Sequence, residues 1–401
     1  MRKGIVVLGF FIIALILIAG CTSAQNSATA GSKNQNPSGN TNVKMTSAEP
    51  KAAPTWSYAT KGPINSVAIS ADGQYVAAGS GDGNGNMIYY FSRDGKQLWN
   101  YSSEFCTVIG VSSDGQKAII SDDDQNIIYF SRDGKRLLEY PEGNENYHYA
   151  ISADGQYVFA SGLSNENRCS KYAGKRDSQG RVIMCRIPPL INLYGDKLLW
   201  SKEVEAEMAD VAMSADGQYM ATGKNKVYYF SRNGNPLWSK EVEAGMADVA
   251  MSADGQYIVT GTPRGGVYYF SQDGKLLWNY TTKNAISSVD VSADGQYVVV
   301  GTDGVGDVYY FSREGKLLWN QTTASGDNFV DMSADGQYVV ARTFAKVYYF
   351  SHEGKLLWSQ YAGSDSLTIA NSIAISADGR NVIVGSHERY GDSKVYFFSR
   401  D

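Results

Sequence analysis

SVDVSADGQYVVVGTDG, running from Ser288 to Gly304, is the stretch on which the fold of this chain turns. Val289 and Val291 alternate with Ser288 and Asp290, the period of two that sends successive side chains to opposite faces of a strand. Asp294-Gly295 follows and reads as a tight hairpin that uses positive backbone angles, and Gln296 to Thr302 makes a second, valine-rich strand. Asp303 to Asp307 forms the next hairpin, Val308 to Ser312 a third strand, Glu314-Gly315 another turn and Lys316 to Thr322 a fourth strand. Every connection is short, so the unit is a four-stranded antiparallel meander.

The phrase SADGQY stands at Ser70 to Tyr75, Ser152 to Tyr157, Ser214 to Tyr219, Ser252 to Tyr257, Ser292 to Tyr297 and Ser333 to Tyr338, with decayed copies at Ser112 to Lys117 and Ser376 to Asn381. A period of about 40 residues filled with strands predicts an all-β protein, an eight-bladed β-propeller with four-stranded antiparallel blades. Trp56, Trp99, Trp200, Trp238, Trp278, Trp319 and Trp358 share one fourth-strand position, and Leu138 fills the eighth. A large ring at a fixed point in each unit packs between adjacent sheets. The last unit stops at Asp401 before a fourth strand, whereas Pro54 to Thr60 carries a fourth-strand phrase with nothing before it. The N-terminal segment is therefore expected to pair with the last blade and close the ring, removing its open edges. Seven blades or an open arc are the alternatives.

Met1-Arg2-Lys3 precedes an uncharged, mostly apolar run from Gly4 to Gly20 and then Cys21. That layout marks residues 1–20 as a signal peptide. Ile18-Ala19-Gly20-Cys21 resembles a lipobox, which implies cleavage before Cys21 and lipid on its sulfur; the alternative is an ordinary signal with an incidental cysteine. Residues 21–53 are then the lipidated Cys21 and a polar tether too poor in apolar residues to bury a core, and residues 54–401 the propeller. Loss of residues 1–20 removes two positive charges and takes the formal net charge from −5 to −7, which argues against nucleic acid as a partner.

The third unit holds an insertion, about residues 163–195. Cys169 and Cys185 lie within it, and in an exported, loop-rich segment they pair as a disulfide or stand as free thiols. It also carries Arg168, Lys171, Lys175, Arg176, Arg181 and Arg186 against Glu166 and Asp177, a basic excursion on an acidic protein. Long loops on rigid scaffolds often carry recognition, so these six cations are candidate partner-binding residues; the alternative is a loop held on the acidic residues Glu203 to Glu207, Glu241 and Glu243. Asn100, Asn279 and Asn320 each open an Asn-x-Ser/Thr sequon directly after a tryptophan and are candidate glycosylation sites on outermost strands. Cys106 aligns with apolar residues and reads as a buried side chain.

No catalytic or metal constellation emerges. His148, His352 and His387 are scattered, and the repeated serines and aspartates belong to turns. Asp82 to Asn86 and Asp122 to Asp124 are rich in oxygen ligands but lack the glutamate that completes a calcium loop. On the innermost strands Ser66, His148, Asp210, Asp248, Ser288 and Ser372 align, with Asp290 and Asp331 two residues on, and a solvated channel is the expected setting for them.

Ser-Val-Asp-Val-Ser-Ala-Asp-Gly-Gln-Tyr resembles a WD-type repeat, and Val-Tyr-Tyr-Phe-Ser-Arg-Glu-Gly-Lys-Leu-Leu-Trp is similar to the end of a repeat from quinoprotein-like (PQQ-like) propellers. The resemblance covers about residues 55–401 and implies the fold. The adjacent cysteine pair and the Glu/Asn/Asp calcium set expected of quinone-dependent dehydrogenases find no match here, so neither PQQ nor calcium is expected as a cofactor. The eight-bladed scaffold lipoprotein of outer-membrane protein assembly is similar in architecture. The expected function is thus a non-catalytic, membrane-anchored extracytoplasmic propeller that binds a protein or glycan partner. A quinone-dependent oxidoreductase and a purely structural envelope protein are the alternatives.

Overall fold

A computed structural model describes residues 50–81, 86–103, 106–122, 126–140, 145–163, 189–204, 210–304, 306–324, 326–344, 346–362, 369–387 and 393–400. All regular secondary structure among them is β-strand, arranged as eight four-stranded antiparallel sheets. Blades 1 to 7 span Ile64–Ser103, Cys106–Tyr140, Glu145–Glu203, Val211–Glu241, Asp248–Thr281, Ile286–Thr322 and Phe329–Tyr361. Blade 8 combines Ile369–Ile375, Asn381–His387 and Lys394–Ser399 with Trp56–Ala59, which lies antiparallel to Lys394–Ser399 in the register Trp56 to Phe397 and Ala59 to Lys394. The N-terminal segment closes the ring as the sequence predicts.

First strands of successive blades touch one another all the way round, from blade 8 back to blade 1, so they line the axis. At their ends, backbone hydrogen bonds pass from each SADG turn to the next. Ala71 N–H donates to Ser113, Ser113 to Ala153, Ala153 to Ala215, and so through Ala253, Ala293, Ala334 and Ala377 back to Ala71, at 2.7–3.1 Å. This circlet is made by backbone groups alone, at a position held by alanine in seven turns and by Ser113 in the other.

The turn itself differs from the tight hairpin expected. Gly295 alone is left-handed, with φ of 69°, and its N–H donates to Ser292 O at 2.8 Å. Ser292 Oγ donates to Asp294 Oδ1 at 2.7 Å, and Asp294 Oδ1 accepts the Gln296 N–H while Ser292 Oγ accepts the Tyr297 N–H, both at 3.0 Å. Local side-chain bonds of this kind favour a longer turn over a two-residue one. The serine and aspartate of the repeat are consumed in shaping it.

Between blades the aromatic residues interlock. In blade 6 Tyr297 stacks on Tyr310 at 5.4 Å and Tyr310 on Trp319 at 5.0 Å. Trp319 then meets Phe350 of blade 7 at 5.7 Å, donates Nε1–H to His352 O at 2.8 Å, and joins Val299, Val330, Val339 and Tyr348 in one buried cluster. The Tyr310 hydroxyl donates to Gly336 O of blade 7 at 2.5 Å. This seam is therefore a small core of its own with a hydrogen bond at both ends.

One boundary needs correction. Pro189–Tyr194 is the third strand of blade 3, paired with Val158–Leu163, so the insertion is bounded by Leu163 and Pro189 rather than running through to 195. Its sequence, PLINLY, lacks the Tyr-Tyr-Phe phrase of the other third strands, which is why it reads as part of the loop.

Candidate functional site

The axis is more committed than a solvated channel would be. Ser66 Oγ accepts the Val108 N–H of the next blade at 2.8 Å, and Ser372 Oγ accepts that of Val67 at 3.0 Å. Asp248 does the same with two oxygens, Oδ1 accepting its own strand's Val249 N–H at 2.8 Å and Oδ2 the Val289 N–H of blade 6 at 2.7 Å. Asp290 bridges Val291 and Met332, and Asp331 bridges Met332 and Ile375, at 2.8–2.9 Å. These carboxylates fasten neighbouring blades, and an asparagine would offer only one acceptor oxygen for two donors.

They also pair with each other. Asp210 and Asp248 share a side-chain hydrogen bond, as do Asp290 and Asp331, which requires one proton per pair. Burial, then the Asp210 charge, push Asp248 well above the usual carboxylate range. Burial, then the Asp331 charge, do the same to Asp290, and burial raises Asp331. Asp210 ends below the range. Burial raises it, but hydrogen bonds from His148 and protonated Asp248, with the His148 charge, outweigh that; His148 Nδ1 stands 3.4 Å from its Oδ1. The Asp210 side chain stays 33% solvent-accessible.

Polar diversity concentrates at the other end of the molecule. In an antiparallel meander the second-to-third connections and the links between blades emerge on the face opposite the SADG circlet. Both roots of the inserted loop, Leu163 and Pro189, lie there. So do Phe329, Phe344 and Tyr361, which are 37%, 55% and 50% exposed. The Arg342 guanidinium lies 4.0 Å over Phe329, and Lys346 Nζ sits 5.0 Å from the Tyr348 ring centre and 5.5 Å from that of Tyr361. Burial brings Arg342 down to about 10, against the pull of Asp327, so it remains a cation at neutral pH. This aromatic and cationic edge of blade 7 was open to sequence reading through Arg342-Thr343-Phe344, which breaks the repeat's Gly-Thr phrase.

Cys21, the Cys169 and Cys185 pair, and the six loop cations Arg168, Lys171, Lys175, Arg176, Arg181 and Arg186 lie outside the described residues. Asn100 and Asn279 are exposed on outermost strands, and Asn320 is half-buried on another. Cys106 begins an innermost strand, with its side chain outside the described ones. The Asp82 hairpin also falls largely outside; Asp122 is buried and accepts the Asn126 N–H at 2.7 Å and Nδ2–H at 3.1 Å, a turn role. Among the described residues no three His, Cys, Asp or Glu side chains are grouped to hold a metal, and no helix is long and apolar enough to cross a membrane.

The resemblance to WD-type repeats is borne out. The model of the WD domain, G-beta repeat, matches residues 54–85, which cover the closing strand and the first two strands of blade 1. A family of unknown function (DUF5711) matches residues 194–345. Among solved structures, the chain is similar to the C-terminal WD40 domain of Sif2, at 12% identity and a TM-score of 0.66 over 87% of this chain and 99% of that one. It is similar to Sqt1 from Chaetomium thermophilum at 14% identity and 0.66 over 87% and 99%, and to Saccharomyces cerevisiae Sqt1 at 12% and 0.62 over 86% and 98%. At such identities the likeness establishes the propeller alone. No curated protein matches the chain.

Proposed function

We propose that this chain is a non-catalytic, lipid-anchored extracytoplasmic scaffold that captures a protein or glycan partner on the loop face of its propeller. The observation that carries the reading is how the repeated polar groups are spent. The serines and aspartates of the SADG turns, and the aspartates of the axis, hold turns and neighbouring blades together. Variation is left to the opposite face, where the basic loop is rooted and exposed aromatic and cationic side chains gather. Loops on a rigid frame are where binding residues accumulate. The charged N-terminus, apolar run and Cys21 support export and lipid attachment.

The test replaces residues 164–188 by a four-residue hairpin, keeping Pro189–Tyr194 in its sheet. In-cell cross-linking with mass spectrometry, run on wild type and variant, should show a dominant partner lost from a variant that melts like wild type. A folded variant that keeps its partner would move the site to blade 7 or the axis.

A further inference from the structure

Seven of the eight seams are filled by an indole, which lies 4.9–6.2 Å from a phenylalanine ring of the next blade. Trp56, Trp99, Trp200, Trp238, Trp278 and Trp319 also donate Nε1–H to a carbonyl in the outer hairpin across the seam, at 2.7–3.1 Å. The glycine of that hairpin is their platform: a Cβ on Gly134 would come within 2.8 Å of Trp99 Cγ. The seam between blades 2 and 3 lacks the indole and its platform, and its cross-seam contacts come from Tyr140 instead, whose ring lies 5.6 Å from that of Tyr194 and whose hydroxyl donates to Gly195 O at 2.5 Å. Leu138 replaces the indole, and the facing hairpin is shortened to Tyr194-Gly195-Asp196-Lys197, whose glycine meets Leu199 and Tyr157 of its own blade.

A second departure lies beside the first. Lys117 stands where six of the other seven units have the tyrosine of SADGQY, and its Nζ donates to Asp154 O at 3.1 Å and Gly155 O at 3.4 Å. In other seams that glycine carbonyl accepts a third-strand tyrosine hydroxyl, as Gly115 does from Tyr90 at 2.7 Å and Gly255 from Tyr229 at 2.6 Å. With the acceptor taken, the equivalent Tyr129, 4% exposed, keeps a buried hydroxyl with no protein partner. Burial raises its pKa, so it stays a donor. The space left open is a cavity of about 780 Å³, a size suited to a small organic ligand. Tyr129, Leu138, Tyr157 and Leu199 give it apolar walls, and Lys117 and Arg232 outnumber Asp196 among its charges.

We infer that this seam is a binding site for an aromatic carboxylate, whose ring takes the place of the missing indole and whose anionic group accepts the Tyr129 hydroxyl beside Lys117 and Arg232. The donor that lacks an acceptor demands one on the ligand, the excess of cations prefers it charged, and the apolar walls select a flat ring. Gly155, Gln156 and Asp196 put the mouth on the SADG side, so the site is independent of the loop-face reading. Two sources offer this chemistry, a free small acid and the C-terminal aromatic residue of a polypeptide.

Calorimetric titration of the whole propeller would use N-acetyl-tryptophan, its amide, and a hexapeptide ending in a free tryptophan. The acid should bind saturably and the amide at least about tenfold more weakly, the size of one charge-assisted hydrogen bond. Leu138→Trp, which restores the residue of the other seven seams, should abolish binding without lowering the melting temperature. Tyr129→Phe should keep the fold and weaken the acid by about tenfold. Peptide binding tighter than N-acetyl-tryptophan assigns the site to a polypeptide terminus, and equal affinity to a small acid. Absence of saturable binding at millimolar acid, equal affinity for acid and amide, or undiminished binding by Leu138→Trp or Tyr129→Phe would each overturn the assignment.

Discussion

Closure by the N-terminal strand can be tested with two tryptophans in matched surroundings. Trp56 stacks on Phe397 at 5.2 Å, tilts against Phe91 at 5.5 Å and donates to Arg93 O at 2.8 Å. Trp278, in the middle of the chain, stacks on Tyr269 at 5.1 Å, tilts against Phe311 at 5.4 Å and donates to Arg313 O at 2.9 Å. Truncation of a buried tryptophan to alanine costs about 3–5 kcal/mol, and the part-exposed indoles here belong at the lower end. With unfolding entropy near 2 cal/mol/K per residue, a domain of about 350 residues loses on the order of 5 °C from its Tm. Trp56→Ala and Trp278→Ala should therefore fall by similar amounts.

Deletion of 54–60 should cost much more than either. It removes the four-residue pairing with Lys394–Ser399, the Thr55 and Thr60 N–H bonds to Phe397 O and Ser393 O, and the Tyr58 hydroxyl bond to Gln97, together with the indole. The Lys394–Ser399 edge is left open, so a Tm drop beyond about 10 °C or aggregation is expected. Thermal melts alongside hydrogen exchange read by mass spectrometry would separate the cases, because only the deletion should lower protection within 394–399, at the amides that face Trp56–Ala59 rather than Asn381–His387. A deletion variant that melts within about 1 °C of the parent with that strand still protected would refute closure by this segment.

The axial acid pairs predict a pH dependence. Asp248, Asp290 and Asp331 hold their protons more tightly folded than unfolded, so their contribution is full below the unfolded value of about 4 and is lost as pH rises through the raised folded values; depressed Asp210 contributes oppositely, losing stability as pH falls below about 4. Asp248→Ser keeps an acceptor for Val289, as Ser66 does for Val108, and should flatten the decline of a Tm-against-pH curve above the unfolded carboxylate range; an unchanged slope would remove Asp248 from it. Gly295→Ala must hold alanine at φ of 69° with its Cβ 2.3 Å from the Tyr257 ring, a loss of about 2 kcal/mol or more in chemical denaturation, whereas a neutral result would deny the turn its role. Cys21→Ser should abolish partitioning into detergent, and unchanged partitioning would exclude a lipid on that sulfur.

Much of the fold was legible because each repeat carries redundant marks. Alternating Val289 and Val291 gave strand and face, Asp294-Gly295 a turn, and Trp319 the phase, and the same marks return in the other units. Pairing of Trp56 with Phe397 followed from matching two incomplete phrases at the chain's ends. The turn's true shape was not legible, because whether Ser292 Oγ faces Asp294 or solvent depends on the backbone that the bond itself creates. The axial aspartates failed for another reason. Alignment placed Asp248 beside Ser66 and Ser372, but the donor that employs it, Val289 N–H, comes from 41 residues away on the next blade.

In a repeat architecture this division has a physical logic. A group that must fasten one blade to the next is needed in every copy, so the recurrent serines, aspartates, tyrosines and tryptophans are bound to be structural, and their recurrence marks them as such. Ligand recognition at a single site needs no copies and shows as a lapse in the pattern. Leu138 and Lys117 are such lapses: sequence alignment exposes each as a missing aromatic residue, yet only the folded seam shows that the two face one cavity and leave the Tyr129 hydroxyl without an acceptor. Phe344 and the loop rooted at Leu163 and Pro189 break the repeat on the opposite face. Chemistry specific to this chain should accordingly be sought where a blade differs from its neighbours, because the shared residues already have a structural use.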